Sequence, residues 1–313
     1  MIDAKNLPTP KIEEWKYTNL SRSLGGLKAI KPQETQEILI HKSCGQDGGE
    51  LKEILWTGLD GTHHNPRLKV VLEEGAELTL VERHDGVGSY WKNMSSEFII
   101  GANARLNHIR IVEDSEQAVQ TNMVNITMEQ GSYLNSFSLN IGGKLTRHDI
   151  HAALNGANIE CNLNGVNLLK GSQHGDTTIV MEHAAPHSSS SQLYRTILNG
   201  KARGVFQGKI LVQKQAQDTS AEQSSKAIML SDGCEMDTKP ELEIYADNVK
   251  CSHGATCGQL DEDPVFYMQS RGISEELAQN LLMQAFIGEV IDNVSRETLQ
   301  EHIKEKALEW LMI

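Results

Sequence analysis

The sequence is poor in aromatic residues. Phe, Trp and Tyr make up 5% of 313 residues, so a core must be filled by Leu, Ile, Val, Met and Ala. Small aliphatic side chains suit thin, repeated layers better than one bulky centre. Basic charge is also scarce: 29 Lys and Arg stand against 42 Asp and Glu, a net charge of −13. That balance offers no basic face, which argues against a nucleic-acid partner. No run of 18 apolar residues is present, so no membrane span is expected. The first residues, Met1-Ile2-Asp3-Ala4-Lys5, lack the apolar stretch of a secretory signal. The five cysteines, Cys44, Cys161, Cys234, Cys251 and Cys257, are odd in number and hold no C-x-x-C pair. They read as free thiols of a reducing compartment rather than a disulfide framework, and the cytoplasm is the expected location.

Several catalytic signatures are missing. Gly143-Lys144, Gly200-Lys201 and Gly208-Lys209 lack both the upstream glycine and the following Ser or Thr of a phosphate-binding loop, so ATP hydrolysis by that device is not expected. There is no G-x-S-x-G, no H-E-x-x-H and no dinucleotide fingerprint.

What is present is repetition. Gly75-Ala76-Glu77-Leu78 is echoed by Gly101-Ala102-Asn103-Ala104, Gly131-Ser132-Tyr133-Leu134 and Gly156-Ala157-Asn158-Ile159, at steps of 26, 30 and 25 residues. A later echo, Gly233-Cys234-Glu235-Met236, follows after 77 residues, close to three such steps. Alternating stretches follow the glycine turns, such as Leu78, Leu80 and Glu82, or Leu106, His108, Arg110 and Val112. Repeats of this length without a helical period predict a β-helix whose coils stack on one another; a β-sandwich is the alternative. The chain divides into a short N-terminal region (1–65), a β-helix core (66–258) and a C-terminal helical subdomain (259–313). In the last, Leu277, Leu281, Leu282, Ala285 and Phe286, then Leu299, Ile303, Ala307, Leu308 and Leu311, recur at helical spacing. Pro264 and Gly272 bound a first helix, and Ser274 and Ser295 are expected N-caps for two more.

The densest chemistry is Cys251-Ser252-His253-Gly254-Ala255-Thr256-Cys257. It follows an alternating strand, Leu242-Glu243-Ile244-Tyr245. If the strand form continues, Cys251, His253 and Cys257 point to one face, where two thiolates and an imidazole are competent ligands for iron or another thiophilic metal. The same cysteines also fit as small buried hydrophobes. His63, His64, His148, His151, His183 and His187 read as surface or loop histidines.

The segment Asp247-Asn248-Val249-Lys250-Cys251-Ser252-His253-Gly254-Ala255-Thr256, with Gly258-Gln259-Leu260-Asp261 and Ser270-Arg271-Gly272-Ile273, strongly resembles the SufB/SufD family. Gln217-Asp218-Thr219 and Thr238-Lys239-Pro240-Glu241-Leu242-Glu243-Ile244 continue the likeness, and Glu14-Trp15-Lys16-Tyr17-Thr18 is similar to a segment near the start of its core. Cys-Ser-His-Gly-Ala at 251–255 resembles the SufD-type branch. The resemblance implies a right-handed parallel β-helix with terminal helices. It implies a scaffold subunit without catalysis of its own, pairing with a SufB-like chain or, as an alternative, with a second copy of itself. It also implies docking of a SufC-type ATPase through residues about 274–313, and an iron–sulfur cluster held transiently with the partner, near His253. A β-helical polysaccharide lyase or hydrolase would need clustered acidic residues on one face, often with Ca²⁺, and none are seen; a purely structural solenoid is the remaining alternative.

Overall fold

The computed structural model describes all residues except 1, 4, 34, 46–49 and 313. Its strands, β1 to β17 in chain order, alternate between two parallel sheets stacked as the walls of a solenoid of about eight turns. One sheet runs β1 (Glu37–Lys42), β4 (Arg67–Leu72), β6 (Trp91–Ile100), β8 (Val119–Met128), β10 (Leu145–Leu154), β12 (His174–His183), β14 (Arg203–Val212) and β16 (Glu235–Ile244), with β3 (His63–His64) beside β6. The other runs β2 (Leu51–Gly58), β5 (Glu77–Gly86), β7 (Arg105–Val112), β9 (Tyr133–Asn140), β11 (Glu160–Leu169), β13 (Ser189–Leu198), β15 (Thr219–Met229) and β17 (Val249–Gly258). The parallel β-helix is therefore the fold, capped along one side by helices.

Strands begin at Glu37, well before residue 66, because β1 pairs with β4 and β2 with β5. The first coil turns at Gly45, φ 79°, but without the Ala-x-Leu that follows Gly75, so the sequence boundary fell too late. The last glycine echo also marks a different place. Gly75, Gly131 and Gly156 precede strands of the β17 sheet, whereas Gly233 precedes β16 in the opposite wall. Between Gly156 and Gly233 lie two and a half coils rather than three.

The turns explain the Gly and Asn punctuation. Asn103, Gly131, Asn158, His187 and Asp218 occupy the left-handed region at φ 57°, 68°, 59°, 61° and 59°, which Gly, Asn and Asp tolerate best. Each donates its N–H to a carbonyl of the next coil: Asn103 to Gln130 at 2.9 Å, His187 to Gln217 at 2.9 Å, Asp218 to Asn248 at 2.7 Å. The lumen is filled by aliphatic ladders such as Leu78, Leu106 and Leu134, or Ile126, Ala152, Met181 and Ile210.

Polar side chains enter the same lumen. Glu82 accepts from Trp56 Nε1 at 2.7 Å and pairs with His108 Nε2 at 3.0 Å, whose Nδ1 meets Ser136 at 2.9 Å. Burial alone would raise the Glu82 carboxyl, but His108 and Trp56 hold it below the usual range. His148 and His183 lie in the buried wall, and His63 stacks on Trp91 at 4.1 Å between ring centres. The expectation of surface or loop histidines thus fails for these three: the strand period turns His148 and His183 inward, and the N-terminal segment covers His63, whose Nδ1 lies 3.2 Å from the Ile30 carbonyl. It agrees with the half-exposed side chains of His151 and His187.

The N-terminal segment crosses the outer face of the first sheet. Trp15 lies over the Arg147 guanidinium at 4.1 Å, and the Thr18 hydroxyl donates to Asp176, which also accepts from Arg147. Helix α1 (Leu20–Leu24) packs there with Trp91, Val119 and Leu145.

Three C-terminal helices follow: α2 (Glu262–Gln269), α3 (Glu275–Ile291) and α4 (Glu297–Leu311). Asp261 caps α2 and the Ser274 hydroxyl caps α3 by accepting from Leu277 N–H at 3.3 Å. The N-cap of α4 is Arg296 rather than Ser295, without a side-chain cap bond. Leu299, Ile303, Ala307 and Leu311 of α4 pack with Ile287 and Val290 of α3 on the outer face of the second sheet, against Val81, Ile109, Phe137, Leu139, Val166 and Ile197. Among the described residues no helix is long and apolar enough to cross a membrane.

Candidate functional site

Every lumen column is roofed by the coil above it except in the last coil. The column Leu80, His108, Ser136, Leu163, Gln192 and Gln223 ends at His253. Its neighbour Leu78, Leu106, Leu134, Cys161, Ser190 and Ala221 ends at Cys251, and a third ends in Ala227 and Cys257. Gln192 and Gln223 are 0% and 1% exposed, and Gln223 donates to Gln192 Oε1 at 2.8 Å. One coil further, His253 and Cys257 are exposed and Cys251 half-buried. Burial raises the Cys251 thiol, with the Ala221 backbone opposing. It therefore waits as a thiol for a metal or a base to take its proton. Cys161, sealed in the lumen, is pushed up to about 12.

The strand form does continue through 249–258, so Cys251, His253 and Cys257 share one face. It also keeps them apart. At roughly 3.3 Å per residue, Cys251 and His253 are about 7 Å apart along the strand, and Cys251 and Cys257 about 20 Å. Among the described residues no three His, Cys, Asp or Glu side chains gather into a metal-binding group. One chain thus presents a row of separate soft donors rather than a closed site. Among the described residues no strand pairs with the outer edges of β16 and β17, the last strand of each wall, and every residue of both strands is at least partly exposed.

Two features escaped the sequence reading. The polar lumen beneath the row was hinted at by His108 and Arg110 in an alternating stretch, but nothing marked their side as inward. The apolar stripes of α3 and α4 were visible in the sequence but not what they pack on: the α4 stripe lies on the second sheet. What remains outward is a groove of about 350 Å³ lined by Leu281, Gln284, Ala285, Gly288, Lys304 and Leu308, with Leu277 and Leu281 50% and 40% exposed.

Residues 55–286 match the family described as "SUF system FeS cluster assembly, SufBD core domain". An iron–sulfur cluster assembly SufBD family protein of Synechocystis is 36% identical over 252 residues, covering 77% of this chain and 55% of that protein. The iron–sulfur cluster assembly protein SufD of Escherichia coli is 33% identical over 268 residues, covering 85% and 61%. The chain thus spans somewhat more than half the length of these relatives. With a solenoid of the expected kind and a family match over most of its length, the chain belongs to the SufBD core family of the SUF iron–sulfur cluster assembly system, as a SufD-type member.

Proposed function

We propose that the chain is a non-catalytic scaffold subunit on which an iron–sulfur cluster is assembled at the open end of the solenoid. The observation that carries this is the row Cys251, His253 and Cys257 on an uncapped coil with an unpaired strand edge. Thiolate and neutral imidazole are competent iron ligands, and their spacing calls for further donors from a partner strand. That partner is a SufB-like chain or a second copy of this one. The cluster is cargo, held transiently between the subunits, and the isolated chain keeps no cofactor.

ATP hydrolysis belongs to a SufC-type ATPase docked within residues about 274–313, of which Ile313 lies outside the described residues. The α3–α4 groove suits that role because its apolar floor is exposed while the buried apolar residues of both helices pack on the sheet. Removing the helices is a poor test, since it would bare Val81, Ile109, Phe137 and Leu139 and invite aggregation. Leu281→Glu with Ala285→Glu leaves that packing in place. In a complex reconstituted anaerobically from this chain, its partner and the ATPase, the double variant should lose ATPase capture and cluster formation while melting as the parent does. Unchanged capture would move the docking site off these helices, and normal cluster formation without this chain would end the scaffold reading.

A further inference from the structure

Two glycine–lysine pairs that fail as phosphate-binding loops meet in space. Gly143-Lys144 and Gly200-Lys201 lie in the loops before β10 and β14, and Gly171-Ser172 lies in the loop before β12, between them. The three glycines occupy the left-handed region at φ 84°, 62° and 74°, and the register of β10, β12 and β14 stacks their loops on successive coils. The N-terminal segment crosses in front of this corner. It is held there by the Thr18 hydroxyl, 3.1 Å from His174 Nε2, and by Lys144 Nζ, which donates to the Ser23 carbonyl at 2.9 Å. Between segment and corner lies a groove of about 540 Å³.

The charge of the groove is the reverse of the chain's. Five of its twelve lining residues are Lys or Arg and one, Glu235, is acidic, whereas acids outnumber bases 42 to 29 over the whole sequence. Arg203 is committed to Asp237 at 2.7 Å and to Glu235 at 3.5 Å. Among the described residues the other four, Lys16, Arg22, Lys144 and Lys201, form no ion pair, and all four are exposed. Like charges gathered without a counter-charge repel one another, and a bound polyanion relieves that repulsion.

We propose that this groove binds an elongated, multiply charged phosphate: a chain of two or three phosphates, free or carried by a nucleotide. Lys144 and Lys201 stand two coils apart, about 10 Å at the strand spacing of a sheet. A ligand whose charge is spread along its length meets both without drawing the two ammonium groups together. Arg22, from α1 on the facing wall, offers the planar fork that suits phosphate oxygens, and the Asn19 amide and Ser172 hydroxyl add neutral donors. The volume is that of a small-molecule site. An acidic peptide would want apolar anchors beside its carboxylates, and the groove offers only Pro10 and Tyr17. The Tyr17 ring is the surface on which the base of a nucleotide would stack. The proposal stands whatever assembles at Cys251 and His253.

The test titrates the full chain calorimetrically with sodium tripolyphosphate at low salt. Binding is expected, and it should weaken as salt is added. Arg22→Gln with Lys201→Gln removes one charge from each wall and no side-chain bond of the fold. Melting should stay that of the parent while affinity falls about tenfold or more. Lys52→Gln with Lys214→Gln, exposed positions outside the groove, makes the same change in net charge and should leave the affinity near the parent's. Equal weakening by both pairs would overturn the proposal, as would an absence of binding by both tripolyphosphate and ATP. A polyglutamate peptide that binds as tightly and competes would also overturn it, making the groove a site for acidic protein segments. ATP binding more tightly than tripolyphosphate, with the gain lost in Tyr17→Ala, assigns a nucleotide; ATP binding no more tightly assigns the phosphate chain alone.

Discussion

The guanidinium of Arg195, 1% exposed on β13, reaches out of the solenoid wall to Glu289 of α3 at 2.7 Å. It also lies 5.5 Å from the ring of Phe286, so one buried cation holds two successive turns of the same helix face. Asn135 adds a bond to the Asn293 carbonyl at 2.8 Å, and Lys306 pairs with Glu113 at 2.8 Å. The helical layer is thus pinned at several points along the sheet.

Glu289 is more than half exposed, so its loss should be mild overall and local in effect. Glu289→Gln is expected to lower stability by about 1 kcal/mol and to speed amide exchange in α3 ahead of the strands. Hydrogen exchange resolved by residue checks this. Unchanged protection of α3 would show that apolar packing alone holds the helix.

Trp15 tethers the N-terminal segment. Trp15→Ala removes the ring over Arg147 and opens the small cluster with Leu20, Leu24 and Trp91, with an expected loss of about 3 kcal/mol or more. Urea unfolding gives the value. A loss below about 1 kcal/mol would mean that Thr18 and its bond to Asp176 suffice to hold the segment.

Acid should weaken the fold through buried histidines. Burial pushes His183 down to about 4, and holds His84 and His148 well below their ordinary value. The unfolded chain takes up these protons near the ordinary histidine pKa of about 6.5, while the folded chain refuses them. Stability is therefore full above that value and falls as pH drops from about 6.5 toward 4, by at most about 1.4 kcal/mol per pH unit for each such histidine. His183→Gln, whose amide reaches the Nε2 position that meets Ser190, should flatten part of that slope. An unaltered slope would assign the acid sensitivity to other groups.

The sequence carried the solenoid and its end more clearly than its beginning. Glycine and asparagine at left-handed turns are a local signal, and Gly75, Asn103, Gly131 and Asn158 transmitted it. The first coil turns at Gly45, φ 79°, but no Ala-x-Leu follows it as one does Gly75, so only long-range pairing reveals β1 and β2. The face shared by Cys251, His253 and Cys257 followed from strand periodicity. Their separation along the strand followed too, but not the uncapped coil, which depends on what fails to pack beyond β17. His148 and His183 were misread because a polar residue in a strand gives no sign of which side is inward. The α4 stripe of Leu299, Ile303 and Ala307 was legible as apolar, while its occupant, the second sheet, was not.

His253 concentrates the account. It ends a lumen column, is itself exposed, and has no neighbouring coil to support, so replacing it should cost little stability. His253→Ala is to be measured in the reconstituted complex for melting temperature and for cluster formation, read by visible absorbance under anaerobic conditions. The account predicts collapse of cluster formation with melting nearly unchanged. A large fall in melting temperature, with cluster formation recovered on cooling, would make His253 a structural residue; normal cluster formation at all temperatures would contradict the open-end site at its centre.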